Sequence, residues 1–153
     1  MDVGAVCERV RGVAAVRACA VADRSALEGG LGSVAVLRSW LSAVEADLAA
    51  RLAGVASFPE QAIAEAGRGS QGEASRVLER SDTLGAVPAL AEALNNGSVT
   101  AGHVDAVTKV AKGFDGAQRE ALLERADRLV GIARHGTVSD FRKRLEREAE
   151  VLR

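Results

Sequence analysis

The spacing of its apolar residues leaves this chain one class of fold. They recur at intervals of three and four, the period of a helix buried along one side. The alternating runs of Val, Ile, Thr or aromatic residues that a half-buried strand needs are missing. Helix starts are equally plain. Ser57 with Glu60, Ser70 with Glu73 and Asp115 with Gln118 have capping-box spacing, in which each end satisfies a backbone N–H of the other. Thr137 with Asp140 is a shorter version. Pro59 sits where a helix's first turn tolerates a missing N–H. The chain is therefore expected to be all-α, a bundle of about six to eight helices with no sheet.

The punctuation gives an order. A first helix is expected from about Val3 to about Leu27, stopped by Gly29-Gly30. A second follows Ser33 and carries Val36, Leu37, Trp40, Leu41, Val44, Leu48 and Leu52, a wide apolar stripe on which Trp40 should be substantially buried. Short helices follow from Glu60 to Ala66 and from Gln71 to about Ser81. Pro88 opens or kinks the next, and Asn95-Asn96-Gly97 ends it in a left-handed turn. Thr100 caps a helix that runs to Gly113, Asp115 one that runs to Gly136, and the last carries Val138, Phe141, Leu145 and Leu152 on roughly heptad spacing. Residues 1–153 read as a single domain. Gly67-Arg68-Gly69-Ser70 is the best place for a joint, a loop inside one domain in preference to a hinge between two.

Aromatic residues make up only 3% of the chain, so the core must be built from Leu, Val and Ala, which favours close helix-on-helix packing. The formal net charge of −1 argues against whole-molecule attraction to nucleic acid. Residues 101–153 hold 11 Lys/Arg against 9 Asp/Glu, a small excess of the opposite sign. No apolar run is long enough for a membrane span, and Glu8, Arg9 and Arg11 break up any signal-like segment, so a cytoplasmic location is expected. Cys7 and Cys19, placed on one helix, would lie roughly 18 Å apart along its axis and could not pair. They are expected to be small buried hydrophobes in a reducing compartment.

Catalytic chemistry finds little support. His103 and His135 are the only histidines, on different helices, with no partner at metal-ligand spacing. His103 is expected to pack or hydrogen-bond locally after Thr100, and His135 to meet the negative end of a helix dipole. Gly29-Gly30-Leu31-Gly32-Ser33 lacks the Lys-Ser/Thr ending of a phosphate loop and has no strand before it, so it is expected to link two helices. No catalytic residue, metal site or cofactor is expected.

Two segments bear on DNA. Arg142, Lys143, Arg144 and Arg147, with Arg134 nearby, form a basic patch suited to phosphate contacts, although Glu146, Glu148 and Glu150 are spaced to pair with the same arginines. Pro88 to Ala111 reads helix, turn, helix, with His103, Asp105, Thr108, Lys109 and Lys112 as the polar groups of its second helix. An ordinary hairpin explains this layout better than a DNA reader does.

The stretch from Leu84 to Leu94, followed by Gly97-Ser98-Val99-Thr100-Ala101-Gly102-His103-Val104, resembles domain-of-unknown-function family 222. Ala64 to Arg68, Ser70 to Arg80, Asp115 to Val130 and Thr137 to Leu145 are similar to it as well, so the resemblance covers roughly residues 35–153. Such domains are typically actinobacterial and stand before an HNH nuclease module. The resemblance implies a fragment or a stand-alone copy of a nuclease-associated domain. With the basic last helix it suggests a non-catalytic helical module that helps to position a nuclease on DNA. The few cations set against Glu146, Glu148 and Glu150 make the expected contacts weak and non-specific. The alternative is a protein–protein interaction or self-association module, suggested by the near-zero charge and the Val138/Phe141/Leu145/Leu152 stripe.

Overall fold

The computed structural model describes residues 1–153 and is all-α, with no strand. Its helices are α1 (Val3–Ala18), α2 (Arg24–Ala53), α3 (Pro59–Gly67), α4 (Gln71–Ala86), α5 (Pro88–Asn96), α6 (Ala101–Ala111), α7 (Gly116–Ala133) and α8 (Val138–Glu150).

Several caps form as the sequence spells them. Ser70 Oγ accepts from the Glu73 amide at 3.1 Å, and Glu73 Oε2 accepts from the Ser70 amide at 2.8 Å. Thr137 Oγ1 accepts from the Asp140 amide at 3.1 Å. Gly97 takes a left-handed φ of 82°, and the Ser98 and Gly97 amides close α5 on the Ala93 and Leu94 carbonyls. Arg68, also left-handed, ends α3 in the same way, so residues 67–70 form a tight turn between two helices that pack on each other. Other caps depart from expectation. Phe58, not Ser57, is the N-cap of α3 and makes no side-chain cap bond. The Asp115 side chain caps nothing, and Gln118 instead donates to the Leu152 carbonyl at 2.7 Å, tying α7 to the end of α8. The start of α5, which has no cap of its own, is served by Asp127 of α7, whose carboxylate accepts from the Ala89 amide at 3.3 Å.

The first two helices divide at a different place from the one the glycines suggest. The chain turns at residues 19–23, not at the glycines. Asp23 caps α2 by accepting from the Ala26 amide at 2.8 Å, and α2 then runs unbroken through Gly29, Gly30 and Gly32 for 30 residues, about 45 Å. Each helical glycine costs up to about 1 kcal/mol relative to Ala, which a well-capped helix of this length absorbs. Gly30 has a packing reason to be small, since a Cβ there would lie 3.3 Å from Val16 on α1. Cys7 and Cys19 are exposed free thiols, not buried hydrophobes: α1 packs chiefly on α2 and buries no residue fully, and Cys19 stands just past its end.

The expected stripe of α2 is also not its buried face. Ser39, Ala43, Ala46 and Ala49 are buried, against α4 and α5. Leu41 and Leu48 are more than half exposed, and Trp40 is only partly buried, outside the central cluster. That cluster of 20 buried residues is almost entirely Ala, Val and Leu, with Phe141 as its single ring. α2, α3, α4 and α5 make one half of the body and α6, α7 and α8 the other, joined by α4 on α6 and α5 on α7.

Two sets of glycine substitutions test this arrangement. A Cβ at Gly29 or Gly32 would meet nothing within 4 Å, so Gly29→Ala and Gly32→Ala should each stabilise by about 0.5–1 kcal/mol. A Cβ at Gly97 would lie 2.5 Å from Val36 Cγ1 of α2. Gly97→Ala should therefore combine a left-handed backbone penalty of about 1–2 kcal/mol with an overpacking cost of about 1–3 kcal/mol. Urea denaturation midpoints read both. A fall in midpoint for Gly29→Ala would show that this stretch is a loop.

Candidate nucleic-acid interface

The basic residues of the C-terminal segment lie on α8 and at the end of α7. α8 buries Phe141, Leu145 and Ala149 against α6 and α7. At about 100° per residue, Lys143, Arg144 and Arg147 fall within roughly 100° of arc on the opposite side, while Arg142 points to one flank. All four side chains are exposed, as is Arg134 at the C-cap of α7.

The glutamates of α8 do less to neutralise this face than their spacing suggests. Only Glu146 takes one of the four, holding Arg142 Nε at 3.4 Å. Glu148 turns inward to Arg125 of α7 at 3.0 Å, and Arg125 also donates to the Glu148 backbone carbonyl at 3.3 Å. Glu150 pairs with Arg153. Lys143, Arg144, Arg147 and Arg134 are left without an ion pair. The remaining acid on the face is Asp140. Its carboxyl is held below the ordinary range chiefly by the Thr137 hydroxyl, which donates to it at 2.7 Å, with a smaller contribution from Lys143.

The two helices of the α5–turn–α6 segment do not pack on each other as a hairpin would: α5 packs on α2, α4 and α7. α6 buries His103, Val104, Ala106, Val107 and Ala111 and is covered by α4, α7 and α8. Of its polar groups, Asp105 is held by both Arg80 Nε and Nη2 at 2.9 Å, Lys112 donates to Glu79 at 2.7 Å, and the Thr108 hydroxyl meets that of Thr83 at 2.6 Å. Glu79, Asp105, Thr108 and Lys112, with Arg76 and Lys109, line an open polar cleft of about 310 Å³ between α4 and α6. No helix-surface signal in the sequence announces that cleft, because its partners lie 25 and 33 residues apart.

The two histidines stay apart in role. His135 is exposed just beyond α7, and His103 is 4% exposed. The Thr100 amide donates to His103 Nδ1 at 3.1 Å, which keeps that nitrogen unprotonated, and the ring lies 5.4 Å from Phe141 at a tilt of 57°. Nε2 is buried with no partner. No three His, Cys, Asp or Glu side chains gather where they could hold a metal ion. The Val138/Phe141/Leu145/Leu152 stripe, expected as a surface for self-association, faces inward. Phe141 and Leu145 are fully buried and Val138 and Leu152 partly so. No helix is long and apolar enough to cross a membrane. Comparison with protein-family models, curated proteins and solved structures returned no match to this chain.

The buried imidazole gives the fold a pH dependence. Burial lowers the pKa of His103 from its ordinary 6.5. The unfolded chain therefore takes up a proton before the folded one does. The stability that this residue contributes is complete above about pH 6.5 and falls as the pH drops from there toward the lower folded value. His103→Gln should flatten the stability profile across that window. An unchanged slope would show that the imidazole protonates freely in the folded protein.

Proposed function

We propose that this chain is a non-catalytic helical module that helps to hold an HNH-type nuclease on DNA, as its resemblance to domain family 222 and its basic last helix together suggest. Lys143, Arg144 and Arg147 would be its main phosphate contacts and Arg134 an accessory one. The observation that carries this reading is the set of three exposed, unpaired cations on one side of α8, opposite the residues that anchor the helix. They offer charge but no shaped or bidentate site, so they favour backbone contact over base reading. Cys7 and Cys19, both free and exposed, fit a reducing cytoplasm.

Two or three phosphate contacts give log K against log salt a slope of about −2 to −3, much shallower than that of a dedicated DNA binder. Fluorescence anisotropy with duplex DNA at low salt tests this. The triple variant Lys143→Ala/Arg144→Ala/Arg147→Ala should lose binding, while Arg142→Ala, whose guanidinium already faces Glu146, should bind nearly as wild type does. Equal binding by the wild type and the triple variant would reduce α8 to a solvated face. The purified chain should leave a supercoiled plasmid intact with added magnesium or manganese. Metal-dependent nicking that His103→Ala abolishes would overturn the non-catalytic reading.

A further inference from the structure

Nine of the eleven large hydrophobic side chains that stand exposed belong to the first 58 residues. Those on α2 share one pattern. Leu27, Val34, Leu41 and Leu48 recur every seven residues, and Leu31 and Leu52 stand four residues after Leu27 and Leu48 on the same side. Leu27, Leu31, Leu41 and Leu48 are 50%, 70%, 56% and 58% exposed. The spacing of four and three is that of a coiled-coil seam, about 38 Å long from Leu27 to Leu52. Exposed Arg38 and Glu45 occupy its two remaining positions. The seam is separate from the Ser39/Ala43/Ala46/Ala49 face that α2 buries in the body, and although Val34 and Leu52 are partly covered, its four other leucines stand at least half exposed.

We propose that this seam binds the same seam of a second copy of the chain, with the two α2 helices antiparallel. Opposite charges on the two seams come close to each other in that direction only, although Glu45 then faces the partner's Val34. Placing Leu27 against the partner's Leu52 sets Leu31 on the partner's Leu48 and Arg38 on the partner's Leu41. Arg38 then lies one helical turn from the layer of the partner's Glu45, and the two-fold axis makes this opposite-charge pair twice. A parallel pairing would instead set Arg38 on Arg38 and Glu45 on Glu45, like charges at both polar layers. The partner's Leu27 and Leu31 also find a place to go. Along its C-terminal half the seam borders an apolar groove of about 410 Å³, walled by Leu48, Leu52, Ile63, Ala66 and Val77. α2 itself carries three Arg and three Asp/Glu, which offers no attraction to a polyanion and suits a like copy.

Sedimentation equilibrium on the full chain over a range of concentrations tests the proposal, with circular dichroism to confirm that each variant is folded. The wild type should reach twice the mass of one chain. Leu31→Glu, at an exposed position, should remain a monomer. Arg38→Glu and Glu45→Arg should each weaken association at least tenfold, and the double variant Arg38→Glu/Glu45→Arg should restore it. That restoration is specific to the antiparallel pairing, since a parallel one would keep like charges facing each other. The proposal is overturned if the wild type stays monomeric at every concentration, if Leu31→Glu dimerises unchanged, or if the double variant is as weak as the single ones. The charge variants alter only exposed polar side chains and so decide the matter even if Leu31→Glu fails to fold.

Discussion

The rest of the structure depends on one face of α2, where Ser39, Ala43, Ala46 and Ala49 are buried against α4 and α5. With aromatic residues at only 3% of the chain, no large rings are available to fill wide gaps between helices. Helices must then approach until small side chains meet, and an alanine face permits that approach. Ser39 can be buried there because its hydroxyl donates to the Ala35 carbonyl at 3.1 Å within its own helix. The same economy appears at Gly97, where the missing Cβ makes room for Val36 of α2. α2 is thus held at two levels, by its alanines on the helices and by Val36 on the turn that follows α5.

What was legible in the sequence was what is decided locally. Ser70 with Glu73, Thr137 before α8 and Gly97 after α5 each act within a few residues, and each does what its type predicts. The failures share a different physics. Gly29-Gly30 looks like a helix stop because glycine is costly in a helix, yet Asp23 starts α2 upstream and the packing of Val16 on Gly30 holds it there. α2 has two apolar faces, one of large residues and one of alanines. Ranking by hydrophobicity selects the large one, whereas burial follows the face that lets other helices come close. The same ranking places Trp40 in the core, and it is only partly covered.

The candidate interface divides along the same line. The cluster of cations at residues 142–147 is visible in one dimension, as is the register that separates Arg142 from the other three. Their availability is not visible. It rests on Glu148 turning to Arg125, 23 residues away, and on Glu150 turning to Arg153. The α4–α6 cleft gives the converse case. Asp105 and Lys112 look free on their own helix and are held by Arg80 and Glu79 of another. Arg80 has only 13% of its side chain exposed, so the Arg80–Asp105 pair is partly shielded from water and acts as a fixed strut between two helices, not as a mobile surface pair.

The two surfaces left open differ in chemistry and in position. α8 packs on α6 and α7, whereas α2 packs on α1, α3, α4 and α5, so the two surfaces belong to different halves of the body. Each surface is weak alone: three cations without a shaped site, and a seam interrupted by Arg38 and Glu45. Pairing through α2 would change what α8 can do, because a dimer carries two cation faces related by the two-fold axis. Where both faces reach one duplex, the second contact becomes intramolecular, and its effective concentration replaces the bulk concentration of protein. The number of phosphates neutralised would double, taking the salt slope from about −2 to −3 for one chain to about −4 to −6 for the pair. Where the two-fold axis points them at different duplexes, the slope per duplex stays at its single-chain value and the dimer bridges DNA instead. The salt dependence of binding by the wild type and by Arg38→Glu, measured at one protein concentration, separates these two geometries.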